Sequence, residues 1–423
     1  MNWGTVGLAG ASTDIQQASE VLAARGYRWQ PPPTLVPPDR AELFTSHLAP
    51  SWIDPLLSSV SRSWGGVYTV RWSIGTRPMG ALPVAMPPSA QRVLSAVWAG
   101  PRPFHVPIEH VVEALAGVGV DAGRLAFVVP AHPADSDPLC RALAHLGMAG
   151  HRIGYDWRTV STAKRAVLAG GPRLSIEFPV GSPCGGACGP GCRCGRYLTL
   201  AHLQFSPASQ GRSLLEVAIL ESELLSAVDD TREPFGVPRF EALVKSVRDV
   251  LSVHGTRGTQ AQRVRLLVDR VFTAALLIGS GFVPGPRGRS HVVRRLLRNA
   301  ATELALTGVS LTWLEGLVQV ADQTARTQLG FTPLTDYLLE TVRAERERFA
   351  RVLAKAPALL ESAVTARHPP AEQAYALLRL RSDHGIPLGV AVAWCREHGI
   401  AVSLRQLARL DRDRHVEKGP WPP

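Results

Sequence analysis

From Ser213 towards the C-terminus, apolar residues recur at three- and four-residue steps in one segment after another. That period demands helices packed through apolar stripes. Leu214–Val228, Phe240–Leu251, Gln262–Ile278, His291–Leu306 and Leu311–Ala325 all fit it. A long helix is predicted from Leu334, with Leu338, Val342, Phe349 and Leu353 at core spacing. Its predicted solvent face carries the pairs Arg343–Glu347 and Glu345–Arg348, each worth only ~0.3 kcal/mol. Before Ser213 the pattern differs. Ile15–Arg25 reads as a helix with Ile15, Ala18, Val21 and Leu22 on one side, ended by Pro31–Pro38. Gly66–Ile74, Leu125–Val129 and Leu174–Phe178 read as short strands, and Ile108–Ala116 as a helix. Such alternation, with long irregular connections, points to an α+β domain around a mostly antiparallel sheet. The turn-forming run Asp229–Pro238 (DDTREPFGVP) sets the boundary. The expected organisation is therefore a sheet domain over residues 1–235, an all-α domain over 236–415 and a disordered tail over 416–423, with no internal repeat.

Within the helical part, Val264–Ala300 (VRLLVDRVFTAALLIGSGFVPGPRGRSHVVRRLLRNA) reads as an apolar helix, a Pro/Gly turn and a second helix. His291, Arg294, Arg295 and Arg298 recur at three- and four-residue steps and share one side of that second helix. Arg287 and Arg289 add charge at its start, and no acid lies between Arg270 and Glu303. Arginine presents a rigid fork of donors that suits phosphate oxygens, so these six residues form a candidate row for a phosphate backbone. The competing reading is a solvated helix face. A net charge of +11 and a pI near 9.9 favour an anionic partner, although a GC-rich genome would also enrich arginine.

The 423 residues suffice for two cores. The N-terminal MNWGTVGLAG lacks the basic-then-apolar pattern of a signal peptide, and Val271–Val283 is too short to span a bilayer. A cytoplasmic protein with reduced cysteines is the expectation, with neither membrane nor DNA as partner. Cys184, Cys188, Cys192 and Cys194 lie among glycines and prolines. Four thiolates can close a tetrahedral structural zinc site, although the C-x3-C-x3-C-x-C spacing is tight. The other reading is four loop thiols without a metal. No phosphate-binding G-x-x-x-x-G-K-[ST] loop, H-E-x-x-H or G-x-S-x-G motif is present.

Pro284–Ala300 (PGPRGRSHVVRRLLRNA) resembles the tRNA-recognition domain of alanyl-tRNA synthetases. Three more segments agree in the family's order: Ile15–Thr45 with the opening of the catalytic domain, Cys188–Phe205 with a cysteine-rich strand, and Ala374–Val402 with the end of the helical domain. The resemblance implies the class II synthetase architecture, an antiparallel catalytic sheet followed by a helical domain, and a chemistry of ATP, magnesium, an amino acid and tRNA. It covers the core without counterparts of the family's editing and oligomerisation regions.

The family's reactive motifs are altered. Its motif 3, Asp-Thr-Gly-Met-Gly-Leu-Glu-Arg, corresponds to Leu215–Ser222 (LEVAILES), with Ser222 at the arginine's place. Val217 and Ile219 replace the glycines and are expected to crowd the nucleotide. Leu215 stands for the ammonium-binding Asp, with Glu216 beside it as a substitute. The family's Glu-Ile-Trp-Asn strand is Thr199–His202 (TLAH), which loses another carboxylate. Arg71 or Arg77 could supply the α-phosphate contact or simply form a strand-surface salt bridge. Pro286 and Ser382 occupy the places of the residues that read the acceptor-stem wobble pair, with Asp383 adjacent. Two functions are expected to compete. One is a tRNA-binding synthetase relative with weak or lost aminoacylation. The other is a divergent ligase that adenylates alanine or a similar amino acid and passes it to tRNA or a small acceptor, using Arg71 or Arg77 with Glu177 and Glu216.

Overall fold

The computed structural model describes residues 13–33, 35–36, 43–44, 65–75, 88–101, 104–148, 150–156, 172–207, 212–253, 260–329, 335–364 and 369–417. Arg77 and residues 418–423 of the expected tail lie outside this set. The chain divides into two compact units, residues 1–241 and 242–423.

The first unit is built on eight strands: β1 (Tyr27–Trp29), β2 (Gly65–Ile74), β3 (Ala90–Pro101), β4 (Ala126–Pro130), β5 (Ile153–Asp156), β6 (Arg173–Pro179), β7 (Tyr197–Pro207) and β8 (Arg212–Leu220). They form one sheet in the order β1-β2-β3-β8-β7-β6-β4-β5. The β1–β2 and β4–β5 pairs are parallel and the other neighbours antiparallel. Four helices, α1 (Thr13–Ala24), α2 (His105–Gly117), α3 (Pro133–His145) and α4 (Glu221–Val228), bury their apolar stripes on one sheet face. Ile15, Leu22, Ile108, Leu115, Leu143 and Leu224 meet Leu94, Phe127, Ile176, Leu203, Val217 and Ile219 there. The alternating residues of the strands face the other way, and on that side polar side chains are concentrated.

One expected helix is corrected. Leu214–Val228 is not continuous: β8 runs to Leu220 and α4 begins at Glu221. Leu214, Leu215, Val217, Ala218 and Ile219 are all buried because this strand lies between β3 and β7 in the middle of the sheet. A strand apolar on both faces looks like a short buried helix when only periodicity is read. The long strand β3 and helix α3, which carries Pro138 inside it, were not anticipated.

The second unit contains only helices among its described residues: α5 (Glu241–Val253), α6 (Gln260–Gly279), α7 (Gly288–Leu306), α8 (Trp313–Leu329), α9 (Thr335–Ala363), α10 (Pro370–His384), α11 (Leu388–Glu397) and α12 (Leu404–Glu417). Helix α12 includes residues 416 and 417, the start of the expected disordered tail. Helix α6 is buried along most of its second half, from Leu267 to Ile278. A second apolar cluster joins the end of α9 to α10, α11 and α12 through Leu360, Leu377, Leu378, Ile386, Ala391 and Cys395. Gly385 closes α10 at φ 73°, a left-handed conformation suited to glycine.

The predicted solvent face of α9 also needs correction. Glu345 is only 1 % exposed. It is an ion-pair acceptor for Arg298, Arg294 and Arg348, while Arg343 reaches Glu315 on α8 at 3.4 Å. A buried carboxylate is tolerated only with such partners.

Candidate functional site: a polar sheet face, a four-cysteine loop and a basic helix

Strand pairing places the first group of candidates. Arg71 is opposite Val93, Thr69 opposite Ser95 and Ser73 opposite Gln91, all on the face away from the helices. Arg71 is 3 % exposed, and its Nε donates to Ser95 Oγ at 2.9 Å. It is therefore buried within the sheet and not on an exposed strand surface. Thr69, Ser73, Gln91 and Ser95 are buried around it.

Continuing across the sheet, Val97 pairs with Glu216, Glu216 with Gln204, and Gln204 with Arg173. Burial lowers the Arg173 guanidinium below its ordinary range, and the buried Glu216 carboxylate works against that. His202 stands opposite Ser175, with Nδ1 and Oγ 3.1 Å apart. Beyond a bulge at Ile176/Glu177, Glu177 lies opposite Thr199. Thr199 is the position where the resemblance expects a carboxylate, so an acid stands one strand over from that place.

Arg71, Glu177 and Glu216 thus share a face, but the register keeps them apart. Arg71 and Glu177 are level but four strand intervals apart, roughly 19 Å between Cα atoms. Glu216 is two strands from Arg71 and four residues along β8, roughly 16 Å away. The two carboxylates do not converge on a common metal position, and no step through ATP or magnesium follows from this geometry.

The motif 3 region departs further. Ser222, at the arginine's place, is wholly buried at the start of α4. Its neighbour Glu221 is held by Arg92 at 3.3 Å and by Arg239, all three within the first unit. Burial and the adjacent Arg92 pull the Arg239 guanidinium below its ordinary range, and Glu221 keeps the charge in place. This arginine-clasped glutamate was missed because Arg239 is distant in sequence. Val217 and Ile219, expected to crowd a nucleotide, instead point into the helix-covered core. Ala218 and Leu220, packed on Val93, fill the polar side.

The cysteines are brought together. Cys184 Sγ and Cys192 Sγ are 3.7 Å apart, Cys188 Sγ and Cys194 Sγ 3.8 Å, and all four sulfurs lie within 4.8 Å of one another. Four sulfurs at ~2.3 Å from zinc would have tetrahedral edges of about 3.8 Å. The repeated C-x3-C spacing works because each step ends in a turn: Cys188 N donates to Gly185 O and Cys192 N to Gly189 O, both at 3.0 Å. The separations exceed a disulfide bond, so the thiols are free. A hydrogen bond from the Cys184 backbone, with help from Arg196, draws the Cys188 thiol down to about 6. Hydrogen bonds with Cys194, Cys188 and Cys192 push Cys184 up to about 12. Four adjacent thiols cannot all ionise without a cation between them, and the donor set is compatible with zinc.

This loop docks on the polar face. Gly191 N donates to Glu177 Oε2 at 2.8 Å. Burial raises Glu177 to about 7 against that hydrogen bond, with Asp156 adding to the rise. Pro190 lies so close to β5 that a Cβ on Gly154 would meet its carbonyl oxygen at 2.4 Å. Glu177 is therefore an anchor for the cysteine loop.

In the helical unit, α7 begins with N-cap Arg287, which is exposed, and has no acid in its first turn. The helix dipole adds to the positive charge of Arg287 and Arg289 there. Further along, the row is partly docked on the protein. Arg298 Nε donates to Glu345 Oε1 at 2.7 Å, Arg294 lies 3.7 Å from the same oxygen, and the Arg298 guanidinium covers Phe349. Arg298 also reaches the turn after α10, where a Cβ on Gly385 would lie 3.4 Å from Nη1. Burial first, then Arg295, Arg294 and Arg298, lower His291 below the ordinary imidazole range. Arg295 is lowered by burial and by Arg270. The expected six-cation row is thus a strongly basic start followed by a half-buried, partly neutralised stretch. At the places linked to wobble reading, Pro286 is exposed, Ser382 Oγ turns back to Leu378 O at 3.0 Å, and Asp383 meets Arg379 at 3.7 Å.

No helix among the described residues is long and apolar enough to cross a membrane.

Comparison with known proteins agrees with the helical unit and the end of the sheet. The family described as tRNA synthetases class II (A) matches residues 219–418. The alanine--tRNA ligase of Desulforudis audaxviator is 26% identical over 274 residues, which is 61% of this chain and 31% of that protein. The alanine--tRNA ligase of Alkaliphilus oremlandii is 26% identical over 250 residues, 55% of this chain and 28% of that protein. The matched regions span about a third of the length of these relatives. Among solved structures, a putative threonyl-tRNA synthetase from Aeropyrum pernix aligns with 77% of this chain and 91% of its own, at 12% identity and a TM-score of 0.36. The chain is thus similar to the class II (A) tRNA synthetases over residues 219–418 and to alanine--tRNA ligases over 55–61% of its length.

Proposed function

We propose that this protein captures the acceptor end of a tRNA or a tRNA-like RNA, and that its amino-acid activation is weak or lost. The observation that carries the reading is the start of α7, where Arg287 and Arg289 stand on a helix N-terminus with no acid in the first turn. A phosphate backbone would meet cations and backbone N–H groups together there, with Arg294, Arg295, Arg298 and His291 extending the surface. Loss of activation is supported by Ser222 at the motif 3 arginine's place and by the spread of Arg71, Glu177 and Glu216 over the sheet. In this reading, the four thiolates hold one structural zinc ion.

A second reading, an adenylating ligase for alanine or a similar amino acid, is favoured by the buried polar cluster around Arg71. Its guanidinium, held by Ser95 among Thr69, Ser73 and Gln91, could face an anion. It would need ATP and magnesium, and either tRNA or a small-molecule acceptor.

Amino-acid-dependent ATP–pyrophosphate exchange, run across the standard amino acids alongside tRNA retention on a filter, tests both. Retention without exchange supports the first reading. Exchange with one amino acid replaces it by the second. Folded protein that neither retains tRNA nor exchanges pyrophosphate refutes both.

A further inference from the structure

The cysteine loop does more than gather four sulfurs: three separate contacts seat it on the outer part of the polar sheet face. Gly191 N donates to Glu177 on β6 at 2.8 Å. Gly191, at φ 80°, also rests over Val128 on β4, where its Cβ would stand 3.6 Å from a Val128 methyl. Pro190 presses on Gly154 of β5 with no room for a Cβ. Strand pairing puts Val128 beside both Ser175 and Gly154, so all three contacts lie on the same side of the sheet.

Residues 181–187 are exposed, and the loop's internal order rests on two short turns and its sulfur cluster. Gly185, Gly186, Gly189 and Gly191 carry a high conformational entropy in the absence of a cross-link. A cation shared by Cys184, Cys188, Cys192 and Cys194 would fix the loop between the two turns. The segment that docks, Pro190 and Gly191, lies between the second and third sulfur ligands, so it cannot move independently of them.

The geometry points to a metal-set positioning element: zinc in the four-thiolate cluster seats Pro190 and Gly191 on β5 and β6, and that seating holds the Glu177 side chain at the wall of the polar face. This rests on the zinc reading above and adds a mechanical consequence to it. Because binding and seating are linked, the effect must run both ways. Zinc should order the docked segment, and loosening the dock should weaken zinc. Gly154→Ala tests the second direction without touching a ligand, because the new methyl group collides with the Pro190 carbonyl. Glu177→Leu removes the acceptor of the Gly191 N–H, whereas Glu177→Gln keeps an oxygen acceptor and serves as the rescue.

The experiment uses the full chain. Zinc content is measured by elemental analysis, and zinc affinity by competition with a chromophoric chelator. Amide hydrogen exchange over 188–192 is followed with and without chelation. The expected result is one zinc per chain and protection of Gly191 that is lost on chelation. Affinity should fall roughly 5- to 150-fold in Gly154→Ala and Glu177→Leu and stay near the parent value in Glu177→Gln. Circular dichroism and a cooperative melt establish that each variant is folded. If a variant is unfolded, the chelation experiment on the parent decides alone. Absence of bound zinc overturns the zinc reading and this inference together. One zinc per chain, with Gly191 exchange unchanged on chelation, leaves the zinc reading standing and overturns the positioning role.

Discussion

Replacing Glu177 by glutamine isolates the cost of one buried charge. Glu177 is 8 % exposed, accepts the Gly191 N–H and titrates at about 7 instead of the ordinary 4.5. The folded protein therefore keeps a proton on Glu177 at pH values where the unfolded chain has released it. The sign follows from linkage: where the native state binds more protons, stability falls as pH rises. The loss accumulates between pH ~4.5 and ~7 and is complete above that window. At ~1.36 kcal/mol per pH unit, ionised Glu177 costs the parent roughly 3 kcal/mol at pH 8. Glutamine has almost the same shape, carries no charge and can still accept from Gly191. Glu177→Gln should thus be more stable than the parent by roughly 3 kcal/mol at pH 8, and about equal at pH 4. With a unit of this size that corresponds to a rise in Tm of about 6–12 °C. Urea titrations of both proteins at half-unit steps from pH 4 to 8.5 would measure the difference. A gap that is independent of pH, or a parent that is the more stable form at pH 8, would refute the argument that burial dominates at this carboxylate.

Other consequences are sharper in the helical unit. Arg298→Ala leaves Glu345, which is 1 % exposed, with the weaker Arg294 and Arg348 contacts, so a loss of roughly 3 kcal/mol in chemical denaturation is expected. Pairing it with Glu345→Leu should recover most of that loss, and a double variant as unstable as Arg298→Ala would contradict the ion-pair assignment. Arg287→Gln with Arg289→Gln should weaken tRNA retention at every sequence tested and lower the slope of log affinity against log salt by about 2. An unchanged slope would move the RNA surface away from the start of α7. The Arg294→Gln variant should matter less for RNA, since that guanidinium already faces Glu345, and equal losses at both places would undo that ranking.

Much of the architecture was legible in local pattern. The strand over Gly66–Ile74 and the helices from α5 to α9 follow from period-two and period-3.6 spacing, which backbone geometry imposes directly. The pattern failed where burial was two-sided. In β8 both faces are covered, so Leu214–Ile219 carries no alternation to distinguish strand from helix. It also failed for Glu345, assigned to solvent because its own helix offered Arg348, when Arg294 and Arg298 on α7 hold it inside. The cysteine cluster was visible from proximity in sequence, but its attachment to Glu177 and Gly154 was not, since the docking strands lie on either side of a long chain interval.

The sequence by itself determined the run of helices from α5 to α9, the cation-rich start of α7 and the closeness of four thiols, because each depends on residues a few positions apart. Tertiary structure alone decided which charges meet. Sheet register set Arg71 roughly 19 Å from Glu177, the fold brought Arg239 to Glu221, and helix packing turned Glu345 towards the basic row. The physical reason is range. Periodicity and turn chemistry act over one or two helical turns, whereas a buried charge is settled by whichever opposite charge the packed chain delivers within about 4 Å.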